Sequence, residues 1–241
     1  MRQTRLYAHD LTPENQRLVL QDKSHHYLSR VLRLTANTEV CLFNGKGFEV
    51  LAKISDIKKN ETLCEILECI DRSNESPLNI HLFQALVRNE KMDWIIQKAT
   101  ELGVKSITPI VSEFCQVKLP KDRQEKRIAH WQEVIISACE QSERSQLPTL
   151  NGPVSFSELP FKNIKTAVML HPRQNNRFEL EKETQNDIAI FIGPEGGFSE
   201  TEIHMAETFG VQFWCLGPRI LRTETAGLAA ISVLQSQLGD F

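Results

Sequence analysis

Hydrophobic positions in the first part of the chain come in short strand-like runs separated by polar turn signals. Arg17–Leu20, Glu39–Phe43, Phe48–Ile54 and Thr62–Ile70 read as strands. Between the second and third lies Asn44-Gly45-Lys46-Gly47, a hairpin signal because glycine accepts positive φ. Ser24–Leu32 predicts a short helix, with Ser24 as its cap and Tyr27, Leu28, Val31 and Leu32 on one face. Closely spaced strands with one helix predict a small β-barrel. The polar stretch Asp71–Pro77 then reads as a linker.

Beyond Pro77 strands alternate with helices. Ile80–Leu86 and Ser106–Val111 are apolar strands, as are the shorter runs Thr166–Leu170, Ile188–Ile192 and Val211–Leu216. Glu90–Leu102 carries Met92, Ile95, Ile96, Ala99 and Leu102 at helical spacing, and Gly103 stops it. Asp122–Glu143 is a long amphipathic helix with Ile128, Trp131, Ile135, Ala138 and Cys139 inward. Ser199 and Glu202 form a capping box before a helix that stops at Gly210. An Ala-rich helix, Thr225–Leu238, closes the chain. This rhythm predicts an open, mostly parallel α/β sheet.

Composition narrows the class further. With 241 residues, 41% hydrophobic and 24% charged, the chain can bury a core without disulfides, as one large domain or two ordinary ones. Nothing suggests collagen, coiled coil or global disorder. No run nears the ~20 apolar residues of a membrane span. The stretch MRQTRLYAHDLTPENQ lacks the apolar run of a signal peptide, so a cytoplasmic protein is expected. Cys41, Cys64, Cys69, Cys115, Cys139 and Cys215 include no C-x-x-C pair and are expected to be reduced, mostly buried thiols. A net charge of −3 excludes a whole-molecule basic field. Residues 1–75 hold 11 basic and 11 acidic side chains, and the remainder 17 and 20. Any nucleic-acid contact must rest on the placement of a few cations.

Open α/β sheets bind ligands beyond the carboxyl ends of their strands. Three such ends stand out: Leu170-His171-Pro172-Arg173, Ile192-Gly193-Pro194-Glu195-Gly196-Gly197-Phe198, and Leu216-Gly217-Pro218-Arg219-Ile220-Leu221-Arg222-Thr223-Glu224-Thr225-Ala226. The last two open with Gly-Pro after a strand. Glycine admits a ligand to backbone contact and proline stiffens the turn, which suits a purine edge or ribose. One such dipeptide would merely turn the chain; two, ending neighbouring strands and each with charged residues, mark a site. No G-x-G-x-x-G follows a strand, and neither G-x-x-x-x-G-K-[ST] nor G-x-S-x-G occurs. A Rossmann dinucleotide site, a P-loop and a serine-hydrolase elbow are thereby set aside. His25, His26 and His171 form no spaced cluster with Cys or carboxylates, so no metal is expected.

The pair IGPEGGF at Ile192–Phe198 and LGPRILRTETA at Leu216–Ala226 closely resembles the ribosomal RNA small subunit methyltransferase E family of the SPOUT superfamily. The likeness continues through Arg30-Val31-Leu32-Arg33, Glu90-Lys91-Met92, Glu101-Leu102-Gly103-Val104 and Glu140-Gln141-Ser142, and so covers nearly the whole chain. Glu143 departs from it, standing where the family pattern has a small residue before Arg144; the departure bears on the shape of that helix end. The resemblance implies a PUA-like, RNA-binding β-barrel over residues 1–72. It implies a SPOUT-type α/β methyltransferase domain over residues 73–241, with a C-terminal trefoil knot at the cofactor site. General topology argues against threaded chains, so the knot is an expectation from the resemblance alone. The resemblance further implies S-adenosyl-L-methionine as cofactor and methylation of uracil N3 at a uridine of 16S ribosomal RNA, free or in the small ribosomal subunit. A homodimer is also implied. Carried over residue by residue, the motif assigns the cofactor to Leu170 and His171, to Ile192, Gly193, Pro194, Glu195 and Gly196, and to Leu216, Gly217, Ile220, Leu221, Arg222, Thr225 and Ala226.

Under that reading the chemistry selects further residues. Uracil N3 is a poor nucleophile until it loses its proton, and the resulting anion spreads over O2, N3 and O4. A guanidinium beside those oxygens favours the anion. Arg222 is the first candidate and Arg219 the second; either could instead pair with Glu195 or Glu224 to hold the loop. Glu195 or Glu224 would screen the sulfonium from the arginine or accept the N3 proton. A valine at Gly193 or Gly217 is expected to fill space the cofactor needs. Arg5, Arg30, Arg33 and Lys46 on the barrel, with Arg88 and Lys91 beyond it, are candidate phosphate contacts, although each alone also reads as a solvated charge. The rival reading is a non-catalytic RNA-binding ribosome-assembly factor that retains the fold. Such a factor would not require both loop motifs intact.

Overall fold

A computed structural model describes residues 3–71, 73–161, 164–172 and 186–241; Arg72 of the linker and Arg173 of the first loop lie outside the described residues. The chain divides into two compact units. One comprises residues 1–75 with 139–147, the other 76–138 with 148–241.

The first unit is a curled five-stranded half-barrel. Its strands are β1 (Thr4–Tyr7), β2 (Arg17–Gln21), β3 (Glu39–Phe43), β4 (Glu49–Ile57) and β5 (Glu61–Ile70), in the order β1-β3-β4-β5-β2. All neighbours are antiparallel except β1 and β3. Leu6, Leu18, Leu20, Val40, Leu42, Val50, Ala52, Ile54 and Cys64 fill its interior. The expected hairpin joins β3 to β4, with Gly45 at φ 75° and Gly47 at φ 95°. Asn44 Oδ1 accepts the Lys46 and Phe48 amides within it. Strand β1 escaped the sequence reading because four residues carry no measurable period and its partner lies far along the chain.

The helix expected at Ser24–Leu32 differs in detail. The chain leaves β2 straight into α1 (Asp22–His26), followed by a wide π-helical turn, Tyr27–Val31. Gln21 precedes α1, and Ser24 caps nothing. The i−5 bond from Leu32 N to Tyr27 O rotates the expected face, leaving Tyr27 and Val31 exposed while Leu28 is buried. His25 takes the vacated inward position and shares a 2.9 Å hydrogen bond with Thr62 Oγ1.

Arg5 is not available as a phosphate contact. It is buried, paired with the almost fully buried Glu49, and donates to the Arg144 carbonyl at 2.9 Å. Its guanidinium lies 4.5 Å from the Phe43 ring centroid. The departure at Glu143 shows its consequence beside this pair: Glu143 adopts φ 64°, a left-handed conformation that suits a small residue. The following Arg144 donates to Glu75 at 2.6 Å.

In the second unit the strands are β6 (Asn79–Ala85), β7 (Ser106–Val111), β8 (Thr149–Leu150), β9 (Val154–Ser155), β10 (Ala167–Leu170), β11 (Asp187–Ile192) and β12 (Gln212–Trp214). They form a parallel sheet ordered β12-β10-β11-β6-β7-β8, with β9 also paired to β7. The helices are α2 (Asn89–Glu101), α3 (Lys121–Ser142), α4 (Glu200–Thr208) and α5 (Thr223–Leu238); the last turn of α3, from Cys139, belongs to the first unit. Central strands β6 and β11 read as nearly continuous apolar runs because both faces are covered. Phe83 and Phe191 face each other in register, rings stacked at 4.6 Å. Met92, Ile95, Ile96 and Ala99 bury α2 as expected, and Gly103 ends it at φ 84°. The Ser199–Glu202 capping box forms, and Glu202 also accepts from Ser112 Oγ and the Glu113 amide. Strands β8 and β9 are too short to leave a sequence signal.

The six cysteines are free thiols, of which Cys41, Cys64 and Cys139 are buried. Burial pushes the Cys64 thiol up to about 11 and the Cys139 thiol to about 12, so both stay protonated at neutral pH. Among the described residues no helix is long and apolar enough to cross a membrane.

Arg5→Ala removes a buried cationic partner from the almost fully buried Glu49 carboxylate. The expected loss in unfolding free energy is about 3–5 kcal/mol, read by urea denaturation of the full chain. A loss below about 1 kcal/mol would mean that Arg5 is not the interior partner described here.

Candidate active site

Strands β12, β10 and β11 lie side by side and parallel, with β10 in the middle. The two Gly-Pro loops therefore terminate strands that flank β10 rather than each other. Parallel neighbours end on one side of a sheet, so the loops after Leu170, Ile192 and Trp214 emerge together. They enclose a cavity of about 870 Å³. Its wall contains Leu170 and His171 of the first loop, Ile192, Gly193, Pro194, Glu195 and Gly196 of the second, and Leu216, Gly217, Arg219, Ile220, Leu221, Arg222 and Ala226 of the third. Phe198, Ile203 and Trp214 add apolar surface. Of the expected cofactor residues only Thr225 is outside the wall, exposed on the first turn of α5.

The loops are tied to one another. Thr223 Oγ1 donates to the Gly193 carbonyl at 2.6 Å and accepts from Gln84 Nε2 at 3.0 Å. Gln84 is fully buried on β6, and its amide also donates to the Ala85 carbonyl. The His171 amide donates to the Trp214 carbonyl at 3.0 Å, joining the first loop to β12. Cys215 Sγ lies 3.2 Å from the Gly217 carbonyl and 3.7 Å from that of Pro172. In the second loop the Gly197 amide closes a turn on the Pro194 carbonyl at 2.9 Å, with Gly197 at φ 76°. Sequence reasoning missed Gln84, and it placed Thr223 in the third loop without its role as a tie between loop and sheet. The available signal was a lone glutamine in the apolar strand NIHLFQA, whose buried Nε2 must find acceptors, while its Oε1 has no hydrogen-bond partner among the described residues.

The glycines are needed for two different reasons. A Cβ at Gly193 would stand 3.2 Å from Phe198 Cδ2 and 3.3 Å from the Gly197 backbone, so a side chain there requires the Phe198 ring and the turn to shift. At Gly217 a Cβ would meet nothing within 4 Å, but φ is 84°. Backbone strain is thus the first cost of a substitution there, ahead of filled space.

Charge at the wall is arranged around Lys91. Its Nζ lies 3.1 Å from Glu195 Oε1 and 3.4 Å from Glu224 Oε2. The pairing that Arg219 or Arg222 could have made is made by this lysine. Among the described residues neither arginine forms an ion pair, and both are exposed. Burial pushes the Glu195 carboxyl up, but hydrogen bonding within its own backbone and from Lys91 outweighs it, and the net direction is down. The Glu195 hydrogen bond leads in raising Lys91 above its ordinary value. On the first unit Arg30, Arg33 and Lys46 are exposed, and Arg88 is exposed immediately before α2.

A family profile described as an RNA methyltransferase domain matches residues 74–235, and one described as an RNA methyltransferase PUA domain matches residues 20–67. The chain is 37% identical to ribosomal RNA small subunit methyltransferase E of Buchnera aphidicola from Acyrthosiphon pisum, over 98% of this chain and 94% of that one. It is 29% identical to the Bacillus subtilis protein of the same name, over 88% and 87% of the two chains. Among solved structures, ribosomal RNA small subunit methyltransferase E of Neisseria gonorrhoeae, bound to S-adenosyl methionine, superposes with a TM-score of 0.91 at 37% identity, covering 100% of both chains. A methyltransferase of Legionella pneumophila in complex with the cofactor SAM superposes at 0.93 with 38% identity, again over 100% of both. With this relatedness over the full length, joined to the three-loop cavity, the chain belongs to the ribosomal RNA small subunit methyltransferase E family.

Proposed function

We propose that this protein methylates uracil N3 at a uridine of 16S ribosomal RNA, holding S-adenosyl-L-methionine in the cavity between the β10, β11 and β12 loops. The observation that carries the reading is the convergence of those three loops on one cavity. Its volume, about 870 Å³, falls in the range of small-molecule sites. The cofactor's chemistry also fits the wall: glycine-rich backbone for hydrogen bonds, and Leu170, Ile192 and Trp214 as apolar surface for a base. When bound, the cofactor supplies an electrophilic methyl group on a positively charged sulfur.

The chain's own residues then divide the work. The Arg222 carbonyl accepts the Thr225 and Ala226 amides at 2.9 and 2.8 Å, so the start of α5 fixes the backbone from which its side chain extends. Its guanidinium, unpaired among the described residues, is available to uracil O2 or O4 and favours the N3 anion. Arg219 is the second candidate on the same loop. Glu195 and Glu224 pair with Lys91, so its charge is balanced where it meets the wall. The depressed Glu195 is a weak proton acceptor, so its part is electrostatic. Catalysis is then mainly alignment of the methyl with N3 and stabilisation of the anion.

Arg30, Arg33 and Lys46 are the remaining barrel candidates for RNA phosphates, within an RNA-binding domain proposed for residues 1–72 ahead of the methyltransferase domain at 73–241. A homodimer completes the reading. Ala230 is buried within its own unit and Ala226 lines the cofactor cavity, which leaves Ala229 as the alanine of α5 open to a partner helix. A non-catalytic assembly factor would leave the convergent loops without a task.

In cells lacking the protein, mass-spectrometric mapping of 16S ribosomal RNA should find one uridine without its N3 methyl, restored by the unaltered chain. The Arg222→Ala variant should lower turnover about 100-fold or more while S-adenosylhomocysteine affinity, by calorimetry, stays within a few fold. Preserved turnover, or collapsed affinity, would contradict the role given to Arg222. For the cavity itself, Gly217→Ala should strain the third loop by about 1–2 kcal/mol, and Gly193→Val should displace the Phe198 ring. Both should weaken S-adenosylhomocysteine binding, and undiminished affinity in both would place the cofactor elsewhere.

A further inference from the structure

A second cavity, of about 900 Å³, lies elsewhere in the same unit and shares Lys91 with the first. It is walled by Arg88, Glu90 and Lys91 at the start of α2, by residues 117–120 ahead of α3, and by one face of α3. Six of its wall residues are Lys or Arg against a single carboxylate, in a chain whose net charge is −3. Arg123, Lys126, Arg127 and His130 recur at i, i+3, i+4 and i+7, so α3 turns one continuous basic face inward to this groove. Asp122 and Glu125 of the same helix are not in the wall.

Of these charges only two form ion pairs among the described residues, although Arg88 also acts electrostatically on Glu195. His130 pairs with Asp93 at 2.8 Å, and Lys91 with the two glutamates. Arg127 lies 5.9 Å from the Trp131 ring centroid. Arg88, Lys118, Arg123 and Lys126 make no ion pair among the described residues. A solvated basic face is the ordinary explanation for one such cation. Three separate segments converging into a concave, predominantly basic wall focus a field that a flat solvated face would disperse. The charge is also drawn out in a line. Arg123 and His130 are seven residues apart, about 10 Å along the helix axis. That layout fits a chain of phosphates better than the single phosphate cluster of a free nucleotide.

We infer that this groove holds the phosphodiester backbone of single-stranded RNA next to the methylated uridine, with Arg88, Lys118, Arg123 and Lys126 as phosphate contacts made by the methyltransferase domain itself. The inference rests on the proposed methyl transfer to ribosomal RNA, and it places the RNA track continuous with the cofactor cavity through Lys91. It adds to any contacts made by Arg30, Arg33 and Lys46.

The test uses the full chain carrying Lys118→Gln, Arg123→Gln and Lys126→Gln together, beside the charge-keeping set Lys118→Arg, Arg123→Lys and Lys126→Arg. Binding of a mixed-sequence single-stranded RNA is followed by anisotropy between about 50 and 200 mM salt. Losing three phosphate contacts should reduce the slope of log affinity against log salt by about two; the charge-keeping set should hold the original slope. With ribosomal RNA as substrate, the neutral variant should raise KM and leave kcat and S-adenosylhomocysteine affinity unchanged. An unaltered slope in the neutral variant overturns the groove, as does an equal loss in the charge-keeping set or a loss confined to cofactor binding. If the unaltered chain transfers methyl groups but the slope does not move, the groove fails alone. If the slope moves but the unaltered chain methylates no ribosomal RNA, the methyltransferase reading fails and the groove stands.

Discussion

A buried amide in the middle of a parallel sheet is the constraint on which the proposed site depends. Gln84 sits fully buried on β6, where its Nε2 group must be satisfied without water. It is satisfied by Thr223, whose hydroxyl passes the connection to the Gly193 carbonyl. A central strand, the second loop and the first turn of the last helix are thereby held in one arrangement. An unpaired buried donor costs about 1–3 kcal/mol, so the arrangement is favoured over any in which α5 begins elsewhere. The position of Arg222 follows from it, since that residue immediately precedes α5 and its carbonyl caps the helix start.

Lys91 does for the charges what Gln84 does for the backbone. By taking both Glu195 and Glu224, it frees the two arginines of the third loop from neutralising their neighbours. An arginine committed to a carboxylate would have little attraction left for a uracil oxygen. The same lysine lines the basic groove, so under the proposed function one side chain borders both the cofactor cavity and the RNA track.

Long periodic segments were legible from sequence because packing and propensity agree in them. Helix α2 buries four of the five residues its spacing pointed to, with Leu102 half-buried at its C-cap, and the capping box at Ser199 forms as its motif implies. The loop motifs at Ile192–Phe198 and Leu216–Ala226 were legible for another reason: their glycines meet backbone and packing demands that other residues fail. What escaped was either too short or too dependent on tertiary context. Strands of two to four residues such as β1, β8 and β9 have no period to read. Arg5 carries the same charge whether it faces solvent or pairs with Glu49, and only the curl of the half-barrel decides. The basic face of α3 carries no signal of its own in the sequence, since Arg123, Lys126 and Arg127 have the spacing of any solvated helix face and only the segments at Arg88 and at residues 117–120 make it a groove.

The most direct measurement of the central claim is a crystal structure of the full chain grown with S-adenosyl-L-methionine. The account expects the ligand between the three loops, in contact with the backbone at Gly193–Gly196 and at residues 216–221, with the Arg222 guanidinium turned away from the sulfonium. A ligand lodged outside those loops, or Arg222 locked onto Glu195 or Glu224 in its presence, would contradict it.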